Sequence, residues 1–208
     1  MNKQSNLLDI KSAKQMVAGL ILMTVFTLLW NGIAYYGLRN SPYRWLLSVF
    51  LIACIFFVYY AFQLHQAAQR LPVPDTSFTD QQEVKRREKL FMMICTGEGI
   101  GVFLAVNIVA NLHHPELQVP AIALAVGLHF FPLAKVFKRK MDIYIGIWST
   151  LVALLAIMLT LNHTISQMPM LVFTGVGLAL STSFYGIYMI LKARRASVHQ
   201  SQSLSVVD

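Results

Sequence analysis

Charge is what this chain lacks most. Only 12% of its 208 residues are Asp, Glu, Lys or Arg, roughly half the share usual in globular domains. Cysteine is almost as scarce. Cys54 and Cys95 both lie inside apolar runs, so no disulfide framework is implied. The motifs of soluble catalysis are missing as well: there is no P-loop, no Rossmann glycine fingerprint, no His-Glu-x-x-His and no Gly-x-Ser-x-Gly elbow. No pair of carboxylates is spaced for hydrolysis. Together these absences exclude a conventional cytosolic enzyme, and a chain this apolar is not intrinsically disordered.

What the sequence has is hydrophobic length. Apolar residues make up 56% of the chain, and they gather into six runs at about 16–38, 43–64, 90–112, 119–137, 143–161 and 169–191. About 20 such residues cross the roughly 30 Å hydrocarbon core as a helix. Each run is too long for a buried strand, and none shows the alternation of a membrane β-barrel. Helices satisfy their own backbone in lipid. The expectation is an all-α membrane protein, a six-helix transmembrane bundle over 16–192, with an N-terminal segment 1–15 and a tail 193–208. The first run is too long for a signal-peptide core and lacks a small-residue cleavage site, so it reads as a retained span.

The few charges are placed asymmetrically. Fifteen of the 17 basic residues fall in the N-terminus (Lys3, Lys11, Lys14), the 66–89 loop (Arg70, Lys85, Arg86, Arg87, Lys89), the turn after the fourth run (Lys135, Lys138, Arg139, Lys140) and the tail (Lys192, Arg194, Arg195). Only Arg39 and Arg44 lie on the other side. The positive-inside rule then places both termini in the cytoplasm. The same asymmetry explains the net charge of +8 without invoking nucleic acid. The connections at 39–42, 113–118 and 162–168 are short. In the 66–89 loop, Pro72 and Pro74 mark an irregular linker. Thr79 and Gln82 match a capping box for a polar helical turn leading into the third span. The Ser- and Gln-rich tail has little to bury and is expected to be disordered. Trp30, Tyr35, Tyr36, Tyr43 and Trp45 fit an outer aromatic belt.

Ionisable residues inside a span need a partner or water. Glu98 lies nine residues after Lys89, and His129 nine before Lys138, so both stand roughly 13 Å inward of their basic collars. A short loop makes their helices antiparallel neighbours, which permits contact at equal depth. Thr24, Thr150 and Ser183 reach the same level and would complete a polar layer. Gly97 and Gly101 form a Gly-x-x-x-Gly step that permits close helix approach beside Glu98. Pro132 frees a carbonyl near residue 128. Such a layer suits a proton relay or a polar-solute site. The competing reading is structural: a protonated Glu98 donating to His129 staples two helices, and the hydroxyls bond their own helix carbonyls.

A second polar group, Asn31 with Asn107 and Asn111, is expected to make interhelical amide hydrogen bonds. His113, His114, Glu116, His163, Met168 and Met170 offer soft or imidazole ligands, but no established ligand spacing, and no metal or cofactor is expected. The block Gly127, Leu128, His129, Phe130, Phe131, Pro132, Leu133 and Ala134, followed by a basic turn and Tyr144, Ile145 and Gly146, resembles a stretch in small bacterial multi-pass membrane proteins. That resemblance covers the fourth span and the start of the fifth. It implies a bacterial inner-membrane location and brings no activity.

The functional expectation is a small transporter or permease-like protein, proton-linked through an intramembrane Glu/His site, with the lipid bilayer and a small solute or proton as partners. The alternative is a non-catalytic scaffold or accessory subunit that docks a protein through 66–89 or the tail. An intramembrane enzyme using Glu98 and His129 as acid and base is least favoured, because no nucleophile or metal set accompanies them.

Overall fold

The computed structural model describes the backbone of residues 10–69 and 78–204, and the side chains of 13–69, 82 and 85–195. Among these residues every regular element is helical: α1 (Ile10–Gly37), α2 (Ser48–Gln69), α3 (Phe78–Asn111), α4 (Gln118–Phe137), α5 (Lys140–Leu161) and α6 (Gln167–Leu204). Short 3-10 turns at Pro42–Leu47 and Pro115–Leu117 lead into α2 and α4. Both open on proline, whose fixed φ and missing N–H suit a first helical position. Ser41 caps the first of them by accepting from the Tyr43 N–H at 3.2 Å. All six helices are long and apolar enough to cross a membrane.

Two ends differ from expectation. The helix α3 begins at Phe78, ahead of Thr79, so Thr79 is inside the helix rather than its N-cap. The side chains of 79–81 and the linker with Pro72 and Pro74 lie outside the described residues. At the other end, α6 continues through Leu204 instead of giving way to an irregular tail. After Gly186 the sequence offers neither glycine nor proline to stop it. Side chains from Ala196 onward lie outside the described residues.

Three helix ends turn on non-glycine residues with left-handed backbone: His113 (φ 59°), Lys138 (φ 52°) and His163 (φ 52°). Two of them share one motif. The His113 N–H bonds the Ala110 carbonyl and the His114 N–H that of Val109, while His163 and Thr164 bond Thr160 and Leu159 in the same way. This is the Schellman pattern, with histidine at the position where glycine is commonest.

The chain divides into two compact units. One comprises the first parts of α1, α2, and the latter part of α6 (residues 1–28, 49–75 and 182–208). Here Gly186 lies against the Phe57 ring, where an added Cβ would stand 2.5 Å from a ring carbon. The hydroxyls of Thr27 and Thr182 meet at 2.7 Å.

The other unit (29–48 and 76–181) holds the end of α1, all of α3, α4 and α5, and the start of α6. Gly175 lets two backbones close up: a Cβ there would lie 2.7 Å from the Trp30 carbonyl oxygen and the Ala34 nitrogen. Gly127 does the same for α4 and α5, facing the Thr150 nitrogen at 2.8 Å. Ser149 and Ser181 pair at 3.0 Å, and the Trp148 indole donates to the Gly177 carbonyl at 2.9 Å. Trp30 is buried in this unit at 1% exposure, which removes it from the aromatic belt. Tyr35, Tyr36, Tyr43 and Trp45 are exposed.

Candidate functional site

The tight Schellman and Pro115 connection folds α4 back along α3. The two helices touch along their length: Phe91 and Phe137 meet edge-on at 6.0 Å near one end, and Val109 packs with Leu117 and Ala121 at the other. Between these contacts, Glu98 Oε1 stands 3.5 Å from His129 Nδ1, at 15% and 10% side-chain exposure. That is an ion-pair distance, longer than a normal hydrogen bond.

His129 Nδ1 also meets the backbone carbonyl of Val126, one turn back on its own helix. A carbonyl only accepts, so Nδ1 carries the hydrogen and donates to it. In the neutral ring Nε2 is then a bare acceptor. A protonated Glu98 therefore has no lone pair to donate to at Nδ1. The staple in which the Glu98 hydroxyl donates to that nitrogen is not the arrangement present. The carbonyl engaged is that of Val126, not the one near residue 128 that Pro132 would free.

Around this pair, α3 and α4 enclose a groove of about 600 Å³. Small residues line it on both helices, Gly97, Gly101 and Ala105 on α3 and Ala121 and Ala125 on α4. Leu104, Ile108 and Leu128 form its rims and are about half exposed (51%, 56% and 49%). Among the described residues, Glu98 and His129 are the only ionisable ones that line it. The glycine step does not bring helices together as expected. An added Cβ at Gly97 meets nothing within 4 Å, and one at Gly101 only the Ala125 Cβ at 3.8 Å. The missing side chains leave space beside the carboxylate.

The other members of the expected polar layer take different places. Thr150 is on α5 behind α4, its buried Oγ1 against Gly127 and without a hydrogen-bond partner among the described residues. Thr24 and Ser183 belong to the first unit. Thr24 donates to its own helix at the Leu20 carbonyl, 2.8 Å away, and Ser183 Oγ has no hydrogen-bond partner among the described residues. Asn107 turns back to the Phe103 carbonyl at 2.7 Å instead of bonding across helices. Asn111 is exposed, while Asn31 is buried with its side-chain oxygen unpartnered among the described residues.

His113 and His163 terminate helices, and His114 pairs with Glu116 at 2.8 Å. Met170 is fully buried, accepting from Thr174 at 3.7 Å, and Met168 is half-buried near it. No group of three or more His, Cys, Asp or Glu side chains able to hold a metal occurs among the described residues.

Sequence reasoning missed the buried hydroxyl pairs Thr27–Thr182 and Ser149–Ser181, in each of which one member, Thr182 or Ser149, adjoins a residue it had named. It also missed Asp142, buried to 1% exposure in the first turn of α5, where the helix dipole favours a carboxylate. Asp142 lies one residue outside the counted apolar run, next to the basic turn that drew attention instead. No family model, curated protein or solved structure matches the chain.

Proposed function

We propose that the chain is a small permease-like transporter of the bacterial cytoplasmic membrane, with both termini in the cytoplasm and Glu98–His129 as its proton-exchanging site. The observation that carries this reading is the 3.5 Å Glu98–His129 contact, seated in the wall of an open-sided groove between two helices apolar enough to cross a membrane, where ionisable groups are costly. A pair that only fastened two helices would be packed over. Here the small residues on both sides leave it accessible from the groove. Proton exchange requires the Glu98 carboxyl to alternate between its neutral and charged forms, with the His129 ring as neighbouring acceptor through Nε2 or, once protonated, as counter-charge.

The test needs no substrate. Infrared difference spectra between acid and alkaline pH on the reconstituted protein should show a carboxylic-acid band on acidification that Glu98→Gln removes. A wild-type spectrum without any Glu98-dependent band rejects proton exchange at this site.

One observation supports the accessory-subunit reading. Only 6% of the apolar window of α3 is buried, against 28% to 67% in the other five helices, so this helix has a wide face on which a partner helix fits. Chemical cross-linking in native membranes that captured a second polypeptide along α3 would favour that reading.

A further inference from the structure

The groove has a direction. Its lining on α3 runs from Ile94 to Val109, with Glu98 one turn from the start. At about 1.5 Å per residue, roughly 16 Å of uncharged wall extends beyond the carboxylate, toward the end where Val109 meets Ala121. The polar function is therefore at one end of a long aliphatic slot whose rims are exposed along the side of the helices.

The polar end also has a sign. The His129 N–H is already committed to the Val126 carbonyl, so with a neutral ring and an ionised Glu98 the polar end presents only acceptors, the carboxylate oxygens and the Nε2 lone pair. Neither Lys nor Arg lines the groove. A fatty acid would bring a second carboxylate to Glu98, and a phospholipid amine would bring its phosphate with it. A single-chain amine brings a donor-only cation on an apolar body, matching both ends of the slot.

Resting on the transport reading above, we propose that the α3–α4 groove takes up a free, single-chain lipophilic amine laterally from the lipid, with Glu98 as counter-ion to its ammonium head and the aliphatic slot holding its chain. Binding of the ammonium to a protonated Glu98 releases one proton, leaving a carboxylate–ammonium pair. On α3 the titratable residue next to Glu98 in sequence is Cys95, three positions earlier.

The experiment uses the full chain in phosphatidylcholine nanodiscs with a dodecylamine analogue carrying a diazirine at its chain end. After irradiation, labelled sites are mapped by peptide mass spectrometry. Labelling is expected near Leu104 and Ile108, competed by dodecylamine but not by dodecanol or lauric acid. It should fall at least tenfold in Glu98→Gln and in Gly97→Leu, which fills the slot while keeping the carboxylate.

Equal competition by all three amphiphiles would mean an ordinary lipid-facing surface and would overturn the proposal. So would full labelling of Glu98→Gln, loss of labelling when phosphatidylethanolamine is added, or cross-links joining two chains along α3. The two readings fail separately. A Glu98-dependent infrared band without amine-specific labelling rejects the amine and leaves proton exchange, whereas amine labelling without the band rejects proton exchange and leaves the amine site.

Discussion

Gly97 and Gly127 occupy similar helical settings and have opposite surroundings. Beside Gly97 there is open space, while a Cβ at Gly127 would stand 2.8 Å from the backbone nitrogen of Thr150. Alanine at 97 removes the helix-interior cost of glycine, roughly 1 kcal/mol, and touches nothing. Alanine at 127 must push α5 away, an overpacking cost of about 1–3 kcal/mol. Thermal unfolding in detergent should therefore rank Gly97→Ala at or above the parent and Gly127→Ala clearly below it. The reverse order would mean that Gly127 does not face α5 and that a neighbour fills the space beside Gly97. The same contrast explains why a groove exists here: glycine is used on one side of α4 for contact and on α3 for space.

At the scale of the helix, position along the axis was legible in the sequence and rotation about it was not. Counting from basic collars put Glu98 and His129 level, and they stand 3.5 Å apart. The same count named Thr150 and Ser183, whereas the hydrogen-bonded hydroxyls are those of Ser149 and Ser181, and of Thr27 and Thr182. A shift of one residue turns a side chain by 100°, and nearly uniform hydrophobicity gives no moment from which to read that angle.

Helix ends were obscure in the sequence both where proline opens them, since Pro42 and Pro115 were assigned to connections but begin 3-10 turns, and where histidine closes them. His113 and His163 invited a metal reading from composition, but their backbone places them as left-handed terminators. Glycine is relieved of the Cβ clash that costs about 1–2 kcal/mol in that conformation. Replacing either histidine by glycine should thus raise the unfolding midpoint in detergent. Addition of Zn²⁺ or Cu(I) should shift the parent and the variants alike. A metal-dependent shift confined to the parent would restore these residues as ligands.

Over the whole molecule, the charges carry the information that the apolar residues cannot. Six helices long and apolar enough to cross a membrane would return the chain to the side on which it began, and on the proposed topology the four basic clusters share that side. On that topology Arg39 and Arg44 are the only Lys or Arg residues of the sequence assigned to the opposite side. Because outward translocation of a basic cluster across the membrane is opposed each time, the four act together and no single substitution should invert the molecule. With Cys54 and Cys95 changed to serine, single cysteines at the exposed positions Lys14, Asn40, His163 and Arg195 test this directly. In intact spheroplasts a membrane-impermeant maleimide should label Asn40→Cys and His163→Cys, and label Lys14→Cys and Arg195→Cys only after permeabilisation. Opposite labelling of Lys14→Cys and Arg195→Cys would mean an odd number of crossings. The site most exposed to such an error is α3: its sparse burial makes it the span whose insertion depends most on lipid rather than on neighbouring helices. Loss of that one crossing would leave His163 on the same side as Asn40 no longer, so the His163→Cys result bears directly on whether Glu98 lies within the membrane at all.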